Sequence, residues 1–176
     1  MLEDFNLLIS TSRGNEREAC SEIWYLLSEL GDRAATVDRT PVIGLVVAKT
    51  KLDPFGVVQG LRAMLRERPE EFRYALKITP IEKVVSTDLN EIKKVASELS
   101  IRIREDEKFR VTVEKRHTDL SMEDIIEAVA AEVNRAVDLE NPDKILLIEV
   151  MGRLTGISVI KPADILAIVK EKWALT

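Results

Sequence analysis

Short apolar runs of β type alternate with helical stripes along the first 81 residues, and this order limits the folds open to the chain. Four runs have strand character: residues 5–10, 35–39, 42–49 and 74–81. Two segments between them place apolar side chains at helical spacing, namely Cys20, Ile23, Trp24, Leu27 and Leu30 in one and Phe55, Val58, Leu61 and Leu65 in the other. The order strand–helix–strand–strand–helix–strand is that of a ferredoxin-like domain.

The second half of the chain follows a different pattern. Asp88 and Ser121 are predicted helix caps. The predicted elements are a helix from residue 89, a half-buried strand over 109–116, a helix over 122–136, a buried strand over 145–150, a returning strand over 156–160, and a last helix that begins at Pro162 and carries Ile165, Leu166, Val169 and Trp173. The strand, helix and strand between residues 109 and 150 predict a right-handed βαβ unit.

We therefore predict an α+β fold with two domains. Residues 1–82 form the ferredoxin-like βαββαβ domain, and residues 83–176 form an α/β domain. The boundary near residues 81–87 contains no Gly/Ser linker. Because flexible linkers are rich in those residues, we expect the two domains to be packed against each other rather than tethered.

Composition and motifs narrow the function classes. A net charge of −5 argues against a histone-like basic protein, so any anion-binding face must be a local patch. One cysteine and one histidine exclude Cys-rich zinc modules and any site that needs two histidines. The sequence has no apolar run of about 18 residues and no basic segment at its N-terminus, so we expect a cytoplasmic protein without a membrane span. It has no dinucleotide fingerprint, Walker loop or nucleophile elbow, so we expect no cofactor and no enzyme activity.

Aromatic residues are few. The chain has 2 Trp, 2 Tyr and 4 Phe, and most of them lie on predicted core stripes. We therefore do not expect bases to stack on an exposed aromatic platform. Cys20 lies among apolar residues at helical spacing, which favours core packing over a reactive thiol.

A first candidate anion site is the turn between the first strand and the first helix. Free N–H groups there, together with Arg13, Gly14 and Asn15, would hold a phosphate at the helix start. Every strand-to-helix turn resembles this one to some degree. An ordinary turn is therefore the competing interpretation.

A second candidate lies in residues 101–117, which hold six Lys and Arg against four acids. Lys115, Arg116 and His117 cluster where the predicted strand ends, just before the helix capped by Ser121. The C-terminal end of a strand in an α/β unit is a favoured ligand position. Cations there would meet phosphates beside the positive end of a helix. The alternative interpretation is an ordinary solvated strand end.

Two stretches of the second half resemble the THUMP domain of RNA-modification proteins. They are FRVTVEKRH at residues 109–117 and VDLENPDKILLIEV at residues 137–150. The most specific part is Val-Asp-Leu-x-Asn-Pro-Asp before an apolar strand. Residues 7–27 and 73–82 resemble the segments that precede this domain in its freestanding members, so the second predicted domain is THUMP-like.

The resemblance is greatest to the adaptor family that assists tRNA cytidine acetylation. Its members are similar in having a ferredoxin-like part and a THUMP part, whereas other THUMP proteins add a catalytic domain, for which the residues after Ile160 leave no room. The resemblance implies a non-catalytic protein that binds the tRNA acceptor region and presents it to a separate tRNA acetyltransferase. The candidate RNA-binding residues are Lys108, Arg110, Lys115, Arg116, His117, Arg153 and Lys161.

Two other functions stay open from the sequence. The first is a protein-docking subunit of another enzyme, which would use its ferredoxin-like sheet as an interface without RNA contact. A freestanding transferase is the least favoured, because no nucleophile–base set or cofactor loop is present.

Overall fold

Two five-stranded β-sheets organise the chain, and the computed structural model describes all of residues 1–176. Five helices accompany the sheets, so the predicted α+β class is confirmed. The chain divides into a first unit, Met1–Ile81 with Ala163–Thr176, and a second unit, Glu82–Pro162. None of the helices is long and apolar enough to cross a membrane.

The helices and strands follow in chain order. Residues 1–81 contain β1 (Leu7–Thr11), α1 (Glu16–Glu29), β2 (Thr36–Arg39), β3 (Leu45–Lys49), α2 (Pro54–Glu67) and β4 (Ala75–Pro80). Residues 82–162 contain β5 (Lys83–Ser86), α3 (Leu89–Leu99), β6 (Lys108–Arg116), α4 (Met122–Ala130), β7 (Ala136–Val137), β8 (Lys144–Met151) and β9 (Leu154–Ile160). The remainder contains β10 (Leu166–Ala167) and α5 (Ile168–Ala174).

The first sheet has the strand order β10-β4-β1-β3-β2, and every neighbouring pair is antiparallel. β1 is central, since Leu7 lies opposite both Ala48 of β3 and Pro80 of β4. Apolar side chains of α1 and α2 pack with those of the sheet in one core. The order β1-α1-β2-β3-α2-β4 is the one that the sequence predicts.

The C-terminal segment differs from the prediction. Residues 163–176 were expected in the second domain, but they belong to the first unit, because Leu166 pairs with Ile78 of β4. Leu166 and Ile168 are fully buried in the first core. The helix expected from Pro162 therefore begins only at Ile168, after a short 3₁₀ turn and the strand β10.

The second sheet has the strand order β5-β9-β8-β6-β7. β6 is parallel to β8 and to β7, whereas β9 runs antiparallel to both β8 and β5. The predicted βαβ unit and the hairpin that follows it are present. α4 ends at Ala130 rather than at residue 136, because Ala136 leaves the helix to pair with Lys108 at the edge of the sheet.

Both tryptophans lie on stripes that the sequence predicts to be core, and both are exposed. Trp24 is 48% exposed and Trp173 is 77% exposed. The buried face of α1 is made by Ala19, Ile23, Leu26 and Leu27. Trp24 lies about 100° around the helix from Ile23, at the border of that face. The expectation that most aromatic residues are buried thus fails for both tryptophans.

Candidate nucleic-acid interface

The seven candidate RNA-binding residues do not form one patch. Lys108 and Arg116 are the two ends of β6, which is nine residues long. At a rise of about 3.3 Å per residue the two Cα atoms are about 26 Å apart. The strand therefore separates the candidates into a group at its C-terminal end and a group at its N-terminal end.

The C-terminal group is assembled by the strand register. Arg116 lies opposite Met151 of β8, and the Gly152 N–H donates to the Arg116 carbonyl at 2.9 Å. A Cβ atom on Gly152 would lie 4.0 Å from the Cβ of His117. The turn between β8 and β9, which carries Arg153, is therefore next to the end of β6. We call Lys115, Arg116, His117 and Arg153 the basic edge.

Two helices begin at the same end of the second sheet as the basic edge. α3 follows β5, whose last residue Ser86 lies opposite Leu154, and the Thr87 N–H donates to the Arg153 carbonyl at 2.9 Å. α4 follows β6 after five residues and is capped by Ser121, whose Oγ accepts from the Asp124 N–H at 3.0 Å. A helix N-terminus carries partial positive charge, but the Asp88 carboxylate caps α3, and Glu123 and Asp124 lie in the first turn of α4. The attraction for anions at this end therefore comes mainly from the cations of the basic edge.

The side chains of the basic edge are held to different degrees. Lys115 is exposed and donates from Nζ to the Leu120 carbonyl at 3.1 Å. Arg116 is 24% exposed, and its Nη1 donates to Oε2 of the buried Glu149 at 2.5 Å. Much of the Arg116 charge is thus compensated within the protein. Lys115 and Arg153 are more exposed than Arg116, so their side chains can reach an external phosphate.

His117 has a backbone conformation that its residue type rarely adopts. Its φ angle is +55°, and it is the only non-glycine residue in the chain with a positive φ. This left-handed residue ends β6 and leads into the segment before α4. His117 is exposed. The sequence contains no signal that would have predicted the left-handed conformation.

The other three candidates lie toward the opposite end of the sheet. The Lys108 N–H donates to Asp143 at 2.8 Å, and Arg110 donates from Nη1 to the Leu139 carbonyl at 2.8 Å. Lys161 follows β9, whose last residue Ile160 lies opposite Ile145 near the start of β8. These residues are therefore not neighbours of the basic edge.

Several cations at that opposite end form ion pairs with acids. Lys144 pairs with Glu107 at 2.9 Å, and Arg102 pairs with Glu82. The Arg104 N–H and then the Lys144 ammonium hold the pKa of Glu107 below its usual value. This end presents a mixed surface with weaker net attraction for a polyanion than its Lys and Arg content indicates.

The turn that contains Arg13, Gly14 and Asn15 already holds an anion of the protein itself. The Glu16 carboxylate accepts from the Gly14 N–H at 2.9 Å and from the Gly44 N–H at 3.2 Å. Hydrogen bonds from its own N–H and from Gly44 and Gly14 lower the pKa of Glu16. Arg13 is exposed. Glu16 therefore engages the Gly14 N–H that the sequence analysis assigned to a phosphate, and the Asn15 N–H donates to the Ser12 carbonyl at 3.0 Å.

Metal ligation has no candidate centre in the chain. No three His, Cys, Asp or Glu side chains lie together in an arrangement that could hold a metal ion. The single cysteine, Cys20, is half-buried on α1, and burial raises the pKa of its thiol.

Comparison with known proteins agrees with the geometry of the second unit. The family model described as the THUMP domain matches residues 86–160. The uncharacterized protein MJ0421 of Methanocaldococcus jannaschii is 33% identical over 108 residues, which are 55% of this chain and 30% of that protein. The chain thus spans less than a third of that relative's length.

Three solved structures share the fold. PH1313 from Pyrococcus horikoshii has a TM-score of 0.66 at 21% identity, over 89% of this chain and 55% of that chain. TrmN from Thermus thermophilus has a TM-score of 0.57 at 16% identity, over 89% and 46%. A 4-thiouridine synthetase in complex with RNA and ATP has a TM-score of 0.57 at 16% identity, over 89% and 41%. The matched family residues lie within the second unit, Glu82–Pro162, and the chain therefore contains a THUMP domain at residues 86–160.

Proposed function

We propose that this chain is a non-catalytic tRNA-binding adaptor that presents the acceptor region of tRNA to a separate cytidine acetyltransferase. The observation that carries the proposal is the basic edge, which lies on the THUMP domain where two helix N-termini meet one end of the sheet. One of the similar structures is a THUMP-fold neighbour with RNA bound, the 4-thiouridine synthetase. The adaptor role and the acetyltransferase rest on the resemblance of residues 109–117 and 137–150.

The chemistry of the second unit favours contacts with phosphates over contacts with bases. Its one aromatic residue is Phe109, which is fully buried. Stacking of unpaired bases needs exposed aromatic or guanidinium planes. Exposed cations instead recognise the position of phosphates, so binding would follow the shape of a folded RNA rather than its sequence.

An adaptor accelerates a modification without taking part in its chemistry. Holding tRNA beside the enzyme raises the effective concentration of the substrate, a gain that linked binding sites give without a new catalytic group. The proposal therefore predicts that the chain changes how the rate of the partner enzyme depends on tRNA concentration. It assigns no reacting group to any residue of this chain.

Fluorescence anisotropy with labelled, unmodified tRNA tests the binding step. We expect the Lys115→Ala/Arg153→Ala variant to bind much more weakly than the parent. The matched control is Lys108→Ala/Lys161→Ala, which removes the same charge from the opposite end of the sheet and should retain most of the affinity. Equal affinity of all three proteins, or no binding by the parent, would reject the basic edge. No binding by the parent would favour a protein-docking subunit that does not contact RNA.

Reconstitution tests the adaptor step. Unmodified tRNA is incubated with acetyl-CoA and ATP, together with the chain, the acetyltransferase, or both. We expect acetylcytidine only where the acetyltransferase is present, and more of it at low tRNA concentration when the chain is added. Acetylcytidine made by the chain alone would overturn the non-catalytic role. A combined reaction no faster than the enzyme alone would overturn the adaptor role.

A further inference from the structure

A cleft of about 610 Å³ lies in the first unit, between α1 and the segment that leads into β4. Arg17, Ser21 and Tyr25 of α1 line one wall, and Arg73 and Tyr74 line the other. Residues four apart on a helix lie one above another on the same face, about 6 Å along the axis. The α1 wall therefore presents a guanidinium group, a hydroxyl group and a phenol ring in a row. We call this cleft the tyrosine cleft.

Both tyrosines of the cleft are held in place by the protein. The Tyr25 hydroxyl donates to Oε1 of Glu71 at 2.9 Å, while Tyr25 is 38% exposed and is not part of the first core. Tyr74 packs against that core, its N–H donates to Glu22 at 3.1 Å, and its carbonyl accepts from Thr11 Oγ1 at 2.8 Å. A ring that is already fixed loses little conformational entropy when a planar ligand packs on it.

Four glutamates also line the tyrosine cleft, and the protein already engages two of them. The Glu22 carboxylate accepts from the backbone N–H groups of residues 73–75 at 2.6 to 3.1 Å. Glu71 accepts from the Tyr25 hydroxyl and pairs with Arg68 at 3.4 Å. The charges of these two carboxylates are therefore compensated within the protein.

The remaining charged groups of the cleft are two cations and two anions. Arg17 and Arg73 make no hydrogen bond or ion pair through their guanidinium groups, the carboxylates of Glu18 and Glu70 have no partner either, and all four residues are exposed. A purely cationic or purely anionic ligand would leave one of the two pairs unmatched. A nucleotide matches both, because guanidinium groups bind phosphate oxygens and carboxylates accept from the amino group of a base. The tyrosine rings add surfaces on which a base can stack.

We propose that the tyrosine cleft binds one nucleoside monophosphate, with its base on Tyr25 and Tyr74 and its phosphate on Arg17 and Arg73. The row along α1 then follows the order of phosphate, ribose and base. The nucleotide is either free or an unpaired unit of an RNA chain, since the contacts are the same for both. The RNA source rests on the tRNA binding proposed above, whereas the free source does not. Cytosine and adenine carry an amino group for the free carboxylates, and uracil carries none.

Amide chemical shifts of the full chain, labelled with ¹⁵N and titrated with cytidine 5′-monophosphate, test the site. We expect saturable shifts at Ser21, Tyr25 and Tyr74, and binding at least about tenfold weaker for ribose 5-phosphate, which lacks the base. Tyr25→Leu should weaken binding of cytidine 5′-monophosphate at least about fivefold, as for the loss of one base–aromatic stack. The matched control is Trp24→Leu, which removes an exposed ring of α1 outside the cleft and should bind like the parent.

A pair of arginine variants keeps the test decisive if Tyr25→Leu does not fold. Arg17→Ala/Arg73→Ala removes two exposed side chains that have no partner in the protein, and it should weaken binding of cytidine 5′-monophosphate at least about fivefold. Its control is Arg66→Ala, an exposed arginine of α2 that does not line the cleft. Ribose 5-phosphate that binds as tightly as cytidine 5′-monophosphate would overturn the proposal, because the base would then contribute nothing.

Fluorescence anisotropy with unmodified tRNA distinguishes the two sources of the nucleotide. An RNA source predicts that Tyr25→Leu binds tRNA at least about fivefold more weakly than Trp24→Leu. A free source predicts that these variants bind tRNA equally and differ only toward cytidine 5′-monophosphate. Lys115→Ala/Arg153→Ala should keep its affinity for cytidine 5′-monophosphate, so a failure of the basic edge is seen separately. No cleft shifts with cytidine 5′-monophosphate, together with equal tRNA binding by the Tyr25 and Trp24 variants, would overturn the proposal.

Discussion

Arg116 of β6 donates a 2.5 Å hydrogen bond from Nη1 to Oε2 of Glu149 on β8, a carboxylate with 2% exposure. The register places Glu114 directly opposite Glu149, and Arg116 lies two residues further along β6 on the same face of the sheet. A buried carboxylate in the centre of a sheet is costly unless its charge is compensated. Arg116 therefore has a structural role that Lys115 does not share.

The first prediction follows from this pair. We expect Arg116→Ala to lower the free energy of unfolding by about 2 kcal/mol, since Glu149 stays buried and loses this cation. Lys115→Ala, which removes an exposed charge from the neighbouring position, should change stability by no more than about 0.5 kcal/mol. Urea titration of both variants makes the comparison. Equal midpoints for the two variants would mean that the ion pair contributes nothing.

The second prediction concerns salt. Each phosphate contact releases condensed counterions, so removing one contact lowers the slope of log K against log salt by about 0.9 for duplex nucleic acid. We expect Lys115→Ala to lower the slope for tRNA binding by close to this amount, equally for different tRNAs. Lys108→Ala should leave the slope unchanged. A Lys115 variant with the parent slope would place this side chain outside the interface.

The third prediction rests on the left-handed backbone of His117. Glycine adopts a φ of +55° without cost, whereas a β-branched residue is strained there. We expect His117→Val to lower the free energy of unfolding by about 1–2 kcal/mol relative to the parent. The free energy of unfolding of His117→Gly should exceed that of His117→Val by a similar amount. Equal melting temperatures of the two variants in thermal unfolding would contradict this prediction.

A fourth prediction concerns acid stability in the first unit. Asp32 is buried and accepts from Thr50 Oγ1 at 2.6 Å and from the Lys51 N–H at 2.9 Å. The Thr50 hydroxyl is the main cause that lowers the pKa of Asp32 below its usual value. Because the pKa is lower in the folded state, this stabilisation is present above the unfolded-state pKa and is lost as pH falls through the folded value.

The pH dependence separates this effect from simple loss of contacts. We expect Thr50→Val, which removes the hydroxyl but keeps the shape, to destabilise the protein by about 1–2 kcal/mol at neutral pH. The difference from the parent should shrink below the usual pKa of an aspartate. Urea titrations at neutral and acidic pH provide the measurement. A difference that is constant over this range would show that the charge of Asp32 is not involved.

Local signals in the sequence predicted the elements that depend on local chemistry. Asp88 caps α3 by accepting from the Asn90 and Glu91 N–H groups, and Ser121 caps α4, as the sequence indicates. Apolar and polar residues alternate over residues 109–116, and this alternation predicts β6 because successive side chains of a strand point to opposite faces.

Features that depend on distant partners were not predictable in this way. The Gly14 N–H donates to the Glu16 carboxylate, which also accepts from the N–H of Gly44, a residue far away in the sequence. The separation of the basic candidates into two ends follows from strand register, which composition does not encode. The exposure of Trp24 depends on which residues of α1 meet the sheet.

The last prediction tests the assignment of the C-terminal segment to the first unit. Leu166 is fully buried in the first core, and Lys172 donates from Nζ to the Phe72 carbonyl at 2.6 Å. Arg62 of α2 pairs with Glu171 of α5 at 2.6 Å. We expect Leu166→Ala to lower the free energy of unfolding by about 3 kcal/mol, the usual cost of emptying a leucine site in a packed core. Trp173→Ala, an exposed position seven residues on, should cost less than about 0.5 kcal/mol. Urea unfolding monitored by tryptophan fluorescence reports on the first unit, because both tryptophans of the chain, Trp24 and Trp173, belong to it. If Leu166→Ala unfolded at the same midpoint as its parent, the C-terminal segment would not be part of that core.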